Sequence, residues 1–244
     1  MPGTTDDIPR RLLVIAAHAG DFVWRSGGAI ATAVAAGGEA RVVALSYGER
    51  GESGELWKVA GQTVEAVKEV RHAEATSAAG ILGASFDCLD LGDYPLRFGE
   101  EVVDRLRDVV LDFAPHVLLT HTERDPFNPD HPVAHAAVVR ARLLATGAGV
   151  AGAFPTVPPS ALFFFEPHQP ERCGFLPDTF LDITPVVDRK IAAMAAFASQ
   201  SYMGTHYAQR AEHRAWHARY ANGDASVRHA EAFQRAVPAV VRQL

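Results

Sequence analysis

Apolar positions along this chain come in blocks whose spacing switches repeatedly between strand and helix. Residues 11–17, "RLLVIAA", are apolar after the first residue, as in a strand buried on both faces. "WRSGGAIATAVAAGG" follows with helical spacing and small residues, closed by Gly37 and Gly38. "EARVVALSY" predicts a second strand and "TVEAVKEVRHAEATSAAGILG" a second helix. "FDCLDLGD" is a third strand, "FGEEVVDRLRDVVLDFA" a helix stopping before Pro115, "HVLLTH" a fourth strand and "DHPVAHAAVVRARLLAT" a fourth helix. Such alternation predicts an α/β fold of Rossmann-like type, a mostly parallel sheet with helices on both faces.

From about residue 148 the pattern loosens. "TGAGVAGAFPTVPPS" is a Gly/Pro-rich loop, and "ALFFFE" and "TFLDI" predict two more strands. "VVDRKIAAMAAFASQ", "AQRAEHRAWHARYA" and "SVRHAEAFQRAV" predict three helices. The expectation is a single domain over 1–244, with regular βα units over 1–147 and a C-terminal elaboration over 148–244.

Composition narrows the classes. Of 244 residues, 48% are hydrophobic and 21% charged, enough for a packed core. A net charge of -6 argues against nucleic acid or a membrane surface as partner. Two cysteines, Cys88 and Cys173, do not make a disulfide framework or a thiolate zinc site. The start "MPGTTDDIPRR" lacks the apolar region of a signal peptide, and no run reaches the ~18 residues of a membrane span. A cytoplasmic protein is expected. The histidine-rich C-terminal helices leave a homo-oligomer open.

The chemistry lies just after the strands: "HAGD", "YGERGES", "LGDYPLR" and "HTERDPFNPDH". A parallel sheet gathers those ends at one edge, where such folds bind ligands. His18 and Asp21 suit a metal such as zinc, although Asp21 is equally placed to cap the next helix. His131, near the start of the fourth helix, is better placed as a further ligand than His135, with His121 as competitor. Glu49 in the glycine-rich loop is the candidate general base, with Glu52 as second choice. Arg25, Arg50, Arg97 and Arg124 together suit a substrate with several carboxylates. Tyr94 and His168 are candidate acids.

These residues resemble the LmbE-like (PIG-L) family of zinc-dependent enzymes, mostly N-acetyl-sugar deacetylases. That family opens on A-H-P-D-D and carries H-P-D-H after its fourth strand, matched here by "AHAGD" and "NPDH". The resemblance implies zinc on His18, Asp21 and His131. It also marks two departures. The family's water-activating aspartate is Gly20 here, and the first histidine of its second motif is Asn128. A narrower resemblance, in "AHAGDFVWRSGGAIA", "LSYGERGESGELW", "LGDYPLR", "HTERDPFNPDHPVAH" and "FFEPHQPE", is to the 4-oxalomesaconate hydratases of this superfamily. It implies addition of water to a carbon–carbon double bond of a small polycarboxylate in the catabolism of gallate and protocatechuate by 4,5-ring cleavage. Asn128 and the arginines would then face the substrate. Two alternatives stand beside it: an amino-sugar deacetylase that recruits Glu49 or Asp130, and a metal-bearing protein that binds polycarboxylates without turnover.

Overall fold

The computed structural model describes residues 10–150 and 155–238. Part of the Gly/Pro-rich loop, 151–154, and most of the N-terminal segment read above lie outside them. The chain runs β1 (Arg11–His18), α1 (Asp21–Ala35), β2 (Glu39–Ser46), α2 (Val64–Leu82), β3 (Ser85–Cys88) and α3 (Glu100–Phe113). It continues through β4 (Val117–Thr120), α4 (Asp130–Leu144), β5 (Ala161–Phe165), α5 (Pro170–Cys173), β6 (Thr179–Asp182), α6 (Val187–Ala195), α7 (Tyr202–Asn222) and β7 (Ala230–Arg235). The strands form a seven-stranded sheet in the order β3-β2-β1-β4-β5-β7-β6. β1 to β5 pair with one another in parallel, whereas β7 runs antiparallel to both β5 and β6.

Alternation along β1 divides the core. Leu12, Val14 and Ala16 pack with apolar residues of α1, α2 and α6 on one face. Leu13, Ile15 and Ala17 pack with those of α3 and α4 on the other. Both faces are covered, which explains why β1 reads as an unbroken apolar run. None of the helices among the described residues is long and apolar enough to cross a membrane.

The helix expected over "SVRHAEAFQRAV" is instead β7. Alanine, glutamate and glutamine favour a helix weakly, but the slot between β5 and β6 supplies a full set of backbone partners. It also buries Ala230, Ala232 and Phe233. Glu231 is buried there as well. It accepts from the backbone N–H groups of Gly28 and Ala29 at 2.7 and 2.8 Å and pairs with Lys190 Nζ at 2.6 Å. Lys190 also donates to the carbonyl of Trp24 at 3.1 Å. This pair ties β7 and α6 to the middle of α1. The helix expected through Gln200 ends at Ala195, and residues 198–200 form a separate 3-10 turn. The helix expected from residue 208 already begins at Tyr202.

Candidate metal centre

The strand order reverses direction between β1 and β4, and the site lies at their carboxyl ends. His18 is the last residue of β1, Asp21 the first of α1, and His131 the second of α4. One ligand atom from each of the three lies within 4.8 Å of the others, and all three residues are buried. His18 Nδ1 stands 3.2 Å from Asp21 Oδ2, and His131 Nε2 stands 3.6 Å from Asp21 Oδ1. Those two ring nitrogens are buried without a hydrogen-bond partner. Unpartnered imidazole nitrogens facing a shared carboxylate are the donor set a divalent metal requires.

The other nitrogen of each ring is held by a carboxylate. His18 Nε2 lies 3.2 Å from Asp130 Oδ2, and His131 Nδ1 lies 2.8 Å from Asp125 Oδ2. Each carboxylate fixes the ring's orientation and leaves the inward nitrogen free for a metal. Asp130 is fixed in turn by the N–H groups of Tyr94 and Leu96, both at 2.9 Å. Burial opposes charge on Asp125, but the bond with His131 overrides it and holds this carboxyl at about 2. Burial likewise lowers the affinity of His18 for a proton, yet Asp130 and Asp21 raise its pKa to about 10. A metal held by His18 would take the place of that proton. The sequence alone does not mark Asp125 or Asp130 as orienting a ligand.

His121 also approaches Asp21, with Nε2 3.3 Å from Oδ2, but that nitrogen is engaged by the backbone. Its Nε2 accepts from the backbone N–H of Ala17 at 2.9 Å, while its ring stacks on His131 at 4.0 Å. His135 turns away, with Nδ1 at 2.9 Å from the carbonyl of His121 and its ring against Phe164.

Among the loop residues, Glu52 faces the metal group. Its Oε1 lies 4.0 Å from His18 Nδ1, accepts from Asn128 Nδ2 at 2.7 Å and lies 3.5 Å from the Tyr94 hydroxyl. Its Oε2 accepts from Gln200 Nε2 at 3.3 Å.

Residues 13–142 match the PIG-L family, described as GlcNAc-PI de-N-acetylase. The chain belongs to the PIG-L family. It is 43% identical over 235 residues to a protein of Pseudomonas putida described as 4-oxalmesaconate hydratase, covering 95% of this chain and 91% of that one. The crystal structure of GalB, the 4-carboxy-2-hydroxymuconate hydratase of P. putida KT2440, superposes with a TM-score of 0.94 at 42% identity. That match covers 96% of this chain and 99% of GalB. A 1D-myo-inositol 2-acetamido-2-deoxy-alpha-D-glucopyranoside deacetylase of Kineococcus radiotolerans is 30% identical, over 80% of this chain and 70% of its own.

Within this PIG-L chain, the other residues expected at the site divide into two sets. Glu49 is fully buried, and its Oε2 has no hydrogen-bond partner among the described residues. Its Oε1 lies 3.2 Å from Arg50 Nη1, and its charged neighbours are Asp93, Lys68 and Arg50. The turn is set by Asp93, whose carboxylate accepts from the N–H groups of Arg50 and Gly51. A side chain at Gly51 would stand 2.1 Å from the Tyr94 ring, so glycine there lets Tyr94 close over the loop. Arg50, Arg97 and Arg124 are exposed. Arg25 is buried beside Asp21, with Nε 3.4 Å from Oδ1, and its Nη2 has no hydrogen-bond partner.

His168 lies 2.9 Å from the Tyr207 hydroxyl through Nδ1. Burial, and then the charge of Arg25, push its pKa down from 6.5 to about 3. The unfolded chain therefore takes up a proton near pH 6.5 that the folded chain refuses. Stability is lost as pH falls below that value. His168→Asn should remove about 1–2 kcal/mol of the stability lost between about pH 7 and 5, read from urea midpoints of variant and parent.

Proposed function

We propose that this protein is a zinc-dependent hydratase that adds water to the carbon–carbon double bond of 4-oxalomesaconate. The observation that carries this is the placement of Glu52. The position beside Asp21 that bears the family's deacetylase base is Gly20, and a carboxylate instead approaches the metal group from the loop after β2. The near full-length likeness to the P. putida hydratase supports the same substrate class.

His18 Nδ1, Asp21 and His131 Nε2 would hold the zinc. When bound, the ion supplies Lewis acidity toward a substrate or water oxygen. Glu52 takes the proton from the attacking water, with its carboxylate aimed by Asn128. We assign the base role expected for Glu49 to Glu52, whose Oε1 lies 4.0 Å from His18 Nδ1. The Tyr94 hydroxyl, beside Glu52, supplies the proton to the carbon next to the carbonyl. Burial first, then the nearby carboxylate of Glu52, raises its pKa, so it stays a protonated phenol. His168 is neutral above about pH 3, so it serves as a hydrogen-bonding group toward a substrate oxygen rather than as a charged acid. Arg25, with a free buried N–H, grips one substrate carboxylate. Arg50, Arg97 and Arg124, exposed after the same strand ends, draw in the polyanion.

Purified, zinc-loaded protein given 4-oxalomesaconate should bleach the absorbance of its conjugated double bond. Release of acetate from N-acetylglucosamine conjugates with no such bleaching would overturn the assignment in favour of a deacetylase.

A further inference from the structure

Gly20 adopts φ -91° and ψ -21°, which any residue tolerates. What glycine provides here is room. A Cβ at this position would stand 2.6 Å from Gln200 Oε1, 3.0 Å from Arg71 Nη2 and 3.1 Å from Trp24 Nε1. The space is already filled by Gln200, which is buried and comes from the turn between α6 and α7.

The amide of Gln200 is engaged at both ends. Arg71 Nη1 donates to Oε1 at 2.8 Å, while Nε2 donates to Glu52 Oε2 at 3.3 Å. Arg71 is itself fully buried on α2. Its Nε donates to the carbonyl of Tyr47 at 3.0 Å, its Nη1 to Ser199 Oγ at 3.0 Å, and its guanidinium lies over the Phe197 ring. Ser199 is pinned to Glu74 by its N–H at 2.8 Å and its hydroxyl at 2.5 Å. A charged donor on the amide oxygen polarises the amide and strengthens its N–H as a donor to Glu52. Glu52 is thus held from two sides, by Asn128 on Oε1 and by Gln200 on Oε2.

We propose that Gln200, locked by Arg71 in the space left beside Gly20, is the positioning residue that sets the Glu52 carboxylate for proton transfer. This rests on Glu52 being the base. Gln200 acts through Glu52, so its effect belongs in kcat rather than in substrate or metal binding.

The test is a double-mutant cycle on zinc-loaded protein with 4-oxalomesaconate, reading kcat, KM and metal content. Gln200→Leu should lower kcat about 10- to 50-fold, with KM within about threefold and metal content unchanged. In a Glu52→Gln background the same change should cost less than about twofold. Gly20→Ala, which crowds Gln200 off Glu52 without deleting any polar group, should reproduce the loss of kcat. Full kcat in both Gln200→Leu and Gly20→Ala would overturn the proposal. So would an equal loss from Gln200→Leu in both backgrounds, which leaves the role of Glu52 intact. Undiminished kcat in Glu52→Gln alone would remove the base assignment and the proposal together.

Discussion

Asp21→Asn should strip the protein of its metal and of hydration together. The carboxylate of Asp21 lies between two unpartnered imidazole nitrogens and is the anionic member of the group. Asparagine keeps its size but removes the charge, and its N–H₂ must face either a ring nitrogen or Arg25. Asp21 also lies 3.4 Å from Arg25 Nε, so the variant leaves a buried guanidinium with less compensation. Lewis-acid assistance is worth several kcal/mol, so turnover should fall by about a thousandfold or more. Metal analysis after gel filtration should find almost none retained. A variant that kept its metal and lost only turnover would show that Asp21 serves the reaction and not the ion.

Glu52→Gln should lower kcat by about 10²–10⁴-fold while leaving the metal in place, the range expected for losing a positioned base. The amide keeps the shape of the carboxylate, and the bonds from Asn128 and Gln200 can partly re-form. KM should move little, because Glu52 is assigned to the water and not to the substrate. Glu49→Gln is the contrasting variant. Glu49 pairs with Arg50 and has Lys68 among its charged neighbours, which assigns its carboxylate to holding the loop, so the change should keep turnover within about tenfold. The reverse ranking of the two variants would return the base to Glu49.

That pair also shows what the sequence made legible. The block pattern exposed the parallel sheet and hence the convergence of strand ends, because an apolar run flanked by helices admits few other arrangements. The meeting of His18, Asp21 and His131 is legible from motif and position. That Glu52 is the one to approach His18 is not legible. Glu49 and Glu52 sit in one short loop whose path is set by Asp93, more than forty positions away, holding the N–H groups of Arg50 and Gly51. Arg71 and Gln200 were invisible for the same reason: an arginine within a helix and a glutamine at the end of an apolar segment carry no local mark of meeting. β7 reads as a helix because its residues favour one locally, and only the slot between β5 and β6 decides otherwise.

A crystal of the zinc-loaded protein, with anomalous scattering measured on either side of the zinc absorption edge, tests the centre itself. One anomalous peak per chain is expected, bonded to His18 Nδ1, an Asp21 oxygen and His131 Nε2. A peak instead among His18, Asp93 and Asp130, the other group able to gather around an ion, or no peak in protein that still hydrates its substrate, would contradict the account.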